Sequence, residues 1–365
     1  MNEMIIQMIP AENTSFLTGI YSWGIEVIKV IQKIENPALT ALMKFITALG
    51  TEALYVPLIV FIFWWIDEKQ GLRLGILIII TAWINNFMKG LLKQPRPFHL
   101  EPSLGLVAES SYGAPSGHAQ MSLCFWIPMA AWLSQIWAAR VPADLRQAEK
   151  KRNERKRVLW IVIVLFILLI GFTRLYLGVH FPTDLFAGWL LGGVILVLWY
   201  IPGPRLEKLL ASAGLRVQSI TAAVIALILN GLYPGDRMYS ALFLGFCLGY
   251  TLMKKHFPFS ARGIIKGKKP GVPIMFFRCI TGFLGMAVIY LGLKLILPGE
   301  GSLFGSIPIW GQASPFTGIG RFIRYGLIGF WVSAGAPRVF LRMGLAALPA
   351  ENIGSNAGHN RNAEP

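Results

Sequence analysis

The sequence predicts an all-α fold, a polytopic membrane helix bundle with about nine transmembrane helices. Three observations predict it. Of 365 residues, 55% are hydrophobic and only 14% charged, with a mean hydropathy of +0.56; a water-soluble chain of this length has too little polar side chain to cover that surface. Apolar runs long enough to cross the hydrocarbon recur along the sequence. The loops between them alternate between strongly basic and nearly cation-free.

Taken in order, the runs lie at about 51–66, 71–92, 118–139, 158–178, 184–201, 217–233, 238–253, 273–297 and 317–336. Before them, "TSFLTGIYSWGIEVIKVIQKI" sets Glu26, Lys29 and Lys33 among apolar positions at helical spacing, as in an interfacial helix, so 1–50 reads as an N-terminal interfacial helical segment. The opening "MNEMIIQMIP" carries Glu3 and ends in proline, and no cleaved leader is expected there. The tail 350–365, "AENIGSNAGHNRNAEP", has the composition of a disordered segment. Cys124, Cys247 and Cys279 all fall in apolar runs; an odd number so placed forms neither a disulfide framework nor a metal cluster, and they read as small packing residues.

The net charge of +16 raises nucleic acid as a partner, but the placement of the cations excludes that class. "RVPADLRQAEKKRNERKR" and "KKHFPFSARGIIKGKKPG" are strongly basic, whereas "YPGD" and "PGEGSLFGSIPIWGQASPF" are nearly free of cations. This is the positive-inside pattern: basic loops cytoplasmic, intervening loops external. The expected location is a bacterial inner membrane with membrane lipids as surroundings. That topology puts 93–117 and 179–183 together on the external face.

Three motifs meet there. In "KGLLKQPRPF", Lys89 ends a span, a position with a cost for a cation that snorkelling reduces, and Arg96 follows in a turn stiffened by Pro95 and Pro97; Lys93 reads as an interfacial anchor. In "GAPSGHAQ", Ser116 is a preferred N-cap, Gly117 allows close approach to the backbone, the helix N-terminus suits an anion, and His118 supplies a titratable proton. In "TRLYLGVHFPTDLFAG", Arg174 closes a span, and Asp184 follows His180 by four residues, a spacing that puts the carboxylate beside the imidazole if a helical turn has begun. Such a carboxylate fixes the tautomer and raises the basicity of the ring.

Together these motifs resemble the three-part signature of the type 2 phosphatidic acid phosphatase superfamily, which includes glucose-6-phosphatase and the vanadium haloperoxidases. The resemblance covers roughly 50–200 and departs at Thr173, where the family usually has serine. It implies a six-helix phosphatase core at 51–203, with 204–349 as additional transmembrane helices of unassigned role. It also implies the chemistry. Lys89, Arg96, Ser116, Gly117 and Arg174 would bind the phosphoryl group, His180 would attack phosphorus, Asp184 would orient it, and His118 would protonate the leaving oxygen. No cofactor and no metal would be needed.

The function so implied is hydrolysis of a terminal phosphate from a lipid phosphate or pyrophosphate, on the non-cytoplasmic face, through a phosphohistidine. A soluble sugar phosphate substrate, and a lipid-phosphate transporter or binding protein that keeps the site, stand as alternatives. Haloperoxidase activity does not suit so apolar a chain. Arg321 and Arg324, three apart on one helical face, would either snorkel to head groups or touch a substrate's polar group. Gly188 and Gly192 form a small-xxx-small pair of the kind used in helix packing and in dimers, which leaves a homodimer open.

Overall fold

A computed structural model describes residues 11–139, 146–265, 268–299, 301–307, 310–311 and 315–348. The tail 350–365 lies outside the described residues. The described chain is helical without a strand; its one β-bridge joins Ile265 to Lys268. Two helices, α1 (Ala11–Gln32) and α2 (Pro37–Ala48), occupy the segment read as interfacial. The nine apolar runs follow as α3 (Glu52–Phe61, continued by a π turn Ile62–Ile66), α4 (Glu68–Leu92), α5 (Gly117–Ala139), α6 (Arg146–Tyr176), α7 (Pro182–Tyr200), then, after the short α8 (Gly203–Ser212), α9 (Leu215–Leu232), α10 (Met238–His256), α11 (Val272–Ile296) and α12 (Thr317–Phe330, continued by a π turn Trp331–Gly335). A last helix, α13 (Ala336–Arg342), ends the described chain's helical part. By length and composition, five helices among the described residues suffice to cross a membrane. They become six if α2 and α3 with its π turn, bent by 43°, form one span.

One boundary differs from the sequence reading for a local reason. The basic stretch before the fourth run is helical from Arg146 onward. Lys, Arg and Glu are good helix formers, and Glu149 and Arg152, 3.4 Å apart, are paired at the i,i+3 spacing. The π turns were not anticipated. The first ends where Asp67 breaks the helix and caps the next: its Oδ1 accepts the amides of Lys69 and Gln70 at 3.0 and 2.9 Å. The second precedes Pro337, which has no N–H to continue the α-helical ladder.

Packing divides the chain into two units. One comprises 1–57 and 77–206, the other 58–76 and 207–365. In the first, α5 packs on α6 and α7, and α2 on α6. Gly188 brings α7 onto the turn before α5, since a Cβ there would meet the Ser116 carbonyl and the Ala119 methyl. Gly192 continues this contact one turn later against Leu123 and Cys124, so the small-xxx-small pair serves this intramolecular packing. In the second unit, α10 packs closely on α12. Trp64 donates to the Val332 carbonyl at 2.8 Å, and the fully buried Arg278 donates to the carbonyls of Leu345, Ala261 and Trp64 at 2.8, 2.8 and 3.1 Å.

Candidate active site

All three motifs lie in the first unit, and local backbone chemistry brings them together. Helix α6 ends at Tyr176, and the turn after it holds Gly178, whose φ of +67° suits glycine; a Cβ there would run into the Leu104 carbonyl. The chain thereby turns back, and the Val179 amide bonds the Arg174 carbonyl at 3.2 Å. Helix α7 begins two residues after His180. Asp184, in its first turn, accepts the Phe181 amide at 2.9 Å through Oδ2, closing the helix N-terminus. The same Oδ2 lies 3.2 Å from His180 Nδ1. The Asp184 carbonyl accepts the Ser116 amide at 2.9 Å, tying the second motif to the third.

The other ring nitrogen, His180 Nε2, faces the Arg96 guanidinium, 3.4 Å from Nη1. Arg96 is held by its whole fork: Nη1 donates to the Val179 carbonyl at 2.7 Å, Nε to the Ser111 carbonyl at 2.6 Å, and Nη2 to Ser111 Oγ at 2.9 Å. Lys89 Nζ donates to Ser111 Oγ at 3.1 Å and to the Tyr112 carbonyl at 2.9 Å. Arg174 donates to Thr47 Oγ1 at 2.9 Å and pairs with Glu109. The three cations are only 7%, 1% and 2% exposed for Lys89, Arg96 and Arg174. Two carboxylates, Glu109 and Asp184, face them. Burying more positive than negative charge is costly unless an anion completes the set.

His180 lies between α6 and α7. Burial, reinforced by the charges of Arg96, Arg174 and Lys89, holds its imidazole well below the usual 6.5. The ring is therefore neutral at physiological pH. His118, at the start of α5, lies within electrostatic reach of His180 and of all three cations. Gly117 lies against Asn85 of α4, and Asn85 donates to Gln120 Oε1 at 2.7 Å, fixing α4 to α5 beside the site.

Ser116 departs from the capping expectation. Its carbonyl begins the helix by accepting the Gln120 amide at 3.1 Å. Its hydroxyl is fully buried and has no hydrogen-bond partner among the described residues. A hydroxyl so placed is a ready donor for an oxyanion.

The structure thus gathers Lys89, Arg96, Ser116, Gly117, His118, Arg174, His180 and Asp184. Arg321 and Arg324 are not part of the first unit that carries this cluster. They belong to the second unit, where Arg321 lies 3.3 Å from Asp236 and Arg324 stacks on the rings of Tyr290 and Tyr325. Sequence reasoning missed Glu109 and Ser111, whose only signal was an acid and two serines, "ESS", in the loop between the first two motifs. It also missed the contacts that α1 makes beside the site, where Tyr21 bonds Gln94 and packs, tilted, on the Phe181 ring at 4.9 Å, and Gln32 donates to the Leu104 and Tyr176 carbonyls at 2.9 Å each.

Apolar helices around a buried cationic site define the class: an integral, multi-pass membrane protein built to meet an anion. Comparison of the sequence with protein families then gives the family. The chain belongs to the PAP2 superfamily, whose family model matches residues 70–206; a second, described as the transmembrane extension of PAP2 superfamily phosphatases, matches 238–348. Phosphatidylglycerophosphatase B of Bacillus subtilis is 30% identical over 169 residues, covering 45% of this chain and 75% of that protein. Undecaprenyl-diphosphatase of Sulfolobus acidocaldarius is 27% identical over 176 residues, 47% of this chain and 75% of that one. Sphingosine-1-phosphate phosphatase 2 of mouse is 27% identical over 202 residues, 54% of this chain and 52% of that one.

Proposed function

We propose that this membrane phosphatase removes a terminal phosphate from a lipid phosphate or pyrophosphate through a phosphohistidine at His180. The observation that carries the reading is the buried His180 ring, with Nδ1 3.2 Å from Asp184 Oδ2 and Nε2 3.4 Å from Arg96, one of three buried cations in the site. Lys89, Arg96 and Arg174, with the Ser116 hydroxyl and the Gly117 amide, hold the phosphoryl oxygens and offset the charge of the transferring group. His180 Nε2 attacks phosphorus as the bond to the ester oxygen breaks, and His118 gives that oxygen its proton. Asp184 stabilises the positive charge that develops on the ring. Water then attacks phosphorus, its proton passes to His118, the P–N bond breaks, and His180 is restored.

The relatives named for phosphatidylglycerophosphate, undecaprenyl diphosphate and sphingosine 1-phosphate support a lipid substrate. In this reading the three buried cations offset the phosphoryl charge and hydrolysis needs no metal, which release in EDTA tests. The basic loops support an active site on the non-cytoplasmic face of a bacterial inner membrane. Residues 51–203 then form the phosphatase core, and 204–349 an addition to it.

The test is phosphate release by purified protein in EDTA, wild type beside His180→Ala. The panel holds phosphatidylglycerophosphate, undecaprenyl diphosphate, phosphatidate, sphingosine 1-phosphate and glucose 6-phosphate. Release from a lipid that requires His180 supports the reading. Preference for glucose 6-phosphate moves it to a soluble substrate, and no release at all favours a transport or binding role.

A further inference from the structure

The cations of the site do not stand open. Glu109 pairs with Arg174 through Oε1, and its Oε2 lies 3.8 Å from Arg96 Nη2. Two residues on, the Ser111 hydroxyl accepts from both Lys89 and Arg96, and the Ser111 and Tyr112 carbonyls accept from Arg96 and Lys89 in turn. One stretch, 109–112, therefore engages all three cations. The Glu109 side chain remains 29% exposed where its arginine partners are 1% and 3% exposed. Its carboxylate thus caps the cluster from the side that meets solvent, two oxygens bridging two guanidiniums as two phosphoryl oxygens would.

We propose that Glu109 is a built-in competitor for the phosphoryl subsite, displaced by terminal phosphates and not by phosphodiesters. This rests on the reading of the cluster as a phosphoryl cradle. A phosphomonoester dianion brings two charges where the carboxylate brought one, so exchange increases the charge neutralised. A diester brings a single charge, equal to the one it must evict, and gains nothing from the exchange. Membranes are rich in phosphodiester head groups. A cradle guarded this way stays free of them and admits the less abundant monoester or pyrophosphate terminus, so Glu109 sets specificity without touching the reacting atoms.

The competing role for Glu109 is purely structural, a spacer that keeps Arg96 and Arg174 from repelling one another. The two roles predict opposite signs. Removing a competitor tightens oxyanion binding, whereas removing a spacer weakens it.

The experiment titrates full-length protein with methyl phosphate, the monoester probe, and dimethyl phosphate, the diester probe, with binding followed by calorimetry. Glu109→Gln keeps the size and removes the charge. The competitor role predicts that it binds methyl phosphate about fivefold tighter or more, and that dimethyl phosphate, without effect on wild type, becomes a measurable ligand. Equal or weaker binding by Glu109→Gln overturns the proposal and, where wild type binds methyl phosphate and Arg96→Ala does not, leaves the cradle reading standing. Failure of both wild type and Glu109→Gln to bind either probe overturns both. A second measurement needs no variant. Methyl phosphate should speed hydrogen exchange at the Gly113 amide, which bonds the Gln94 carbonyl at 2.9 Å beside the displaced stretch; slowed or unchanged exchange contradicts displacement.

Discussion

Arg96 Nη1 lies 3.4 Å from His180 Nε2, the nitrogen that Asp184 leaves free. A guanidinium there does two things. It discourages protonation of the ring, and in the proposed mechanism it would hold a phosphoryl oxygen beside the nitrogen that attacks. Because Arg96 also donates to Ser111 and Val179, its position is set by the loops that carry the other motifs.

Arg96→Lys should therefore behave as a severe change. Lysine keeps the charge but cannot reproduce a planar fork that reaches three protein oxygens. We expect kcat/KM to fall by about a hundredfold or more, with most of the loss in kcat. A steady-state comparison with wild type checks this, and near-normal activity would reduce Arg96 to a point charge.

Ser116→Ala separates stability from activity. The hydroxyl it removes is buried without a hydrogen-bond partner among the described residues, so the change should cost the fold nothing and Tm should hold or rise. The lost oxyanion donor should lower kcat/KM by about a hundredfold. A fall in Tm would mean that the hydroxyl already has a structural role.

His180 makes stability depend on pH with a definite sign. Its folded pKa lies below the usual 6.5, so the unfolded chain takes up the proton first. Its contribution is fully present above 6.5 and is lost as pH falls below that value, at up to about 1.4 kcal/mol per pH unit until the folded pKa is reached. Thermal unfolding from about pH 8 to about pH 5 should show wild type losing more stability than His180→Gln. Parallel profiles would contradict a buried neutral ring.

Arg278 is a structural cation of the second unit. Arg278→Leu would leave the Leu345, Trp64 and Ala261 carbonyls without their donor and should cost about 3 kcal/mol or more. Its effect belongs in Tm, with turnover per folded molecule unchanged at permissive temperature.

How much of this was legible in the sequence follows from range. Apolar runs are a local property, and the nine read from the sequence reappear as helices α3 to α7 and α9 to α12, with limits within a few residues apart from the basic start of α6. The His180–Asp184 pairing was legible because both residues lie on one short segment. Glu109 and Ser111 were not, because a loop acid acquires meaning only when residues 13 positions before it and 65 after it fold around it. The packing of α1 on Phe181 and Gln94 was hidden for the same reason, while its own pattern of Glu26, Lys29 and Lys33 described only the outward face. Ser116 shows a different limit. Its residue type suits a cap and an oxyanion donor equally, and only its burial without a partner distinguishes them.

The most direct test of the central claim is a rapid-quench experiment with substrate radiolabelled in its terminal phosphate. A phosphohistidine at His180 gives a transient protein-bound label that is acid-labile and alkali-stable, maps to the peptide containing His180 and is absent from His180→Ala. Turnover by wild type with no protein-bound label on any timescale, or label that persists in His180→Ala, would contradict it.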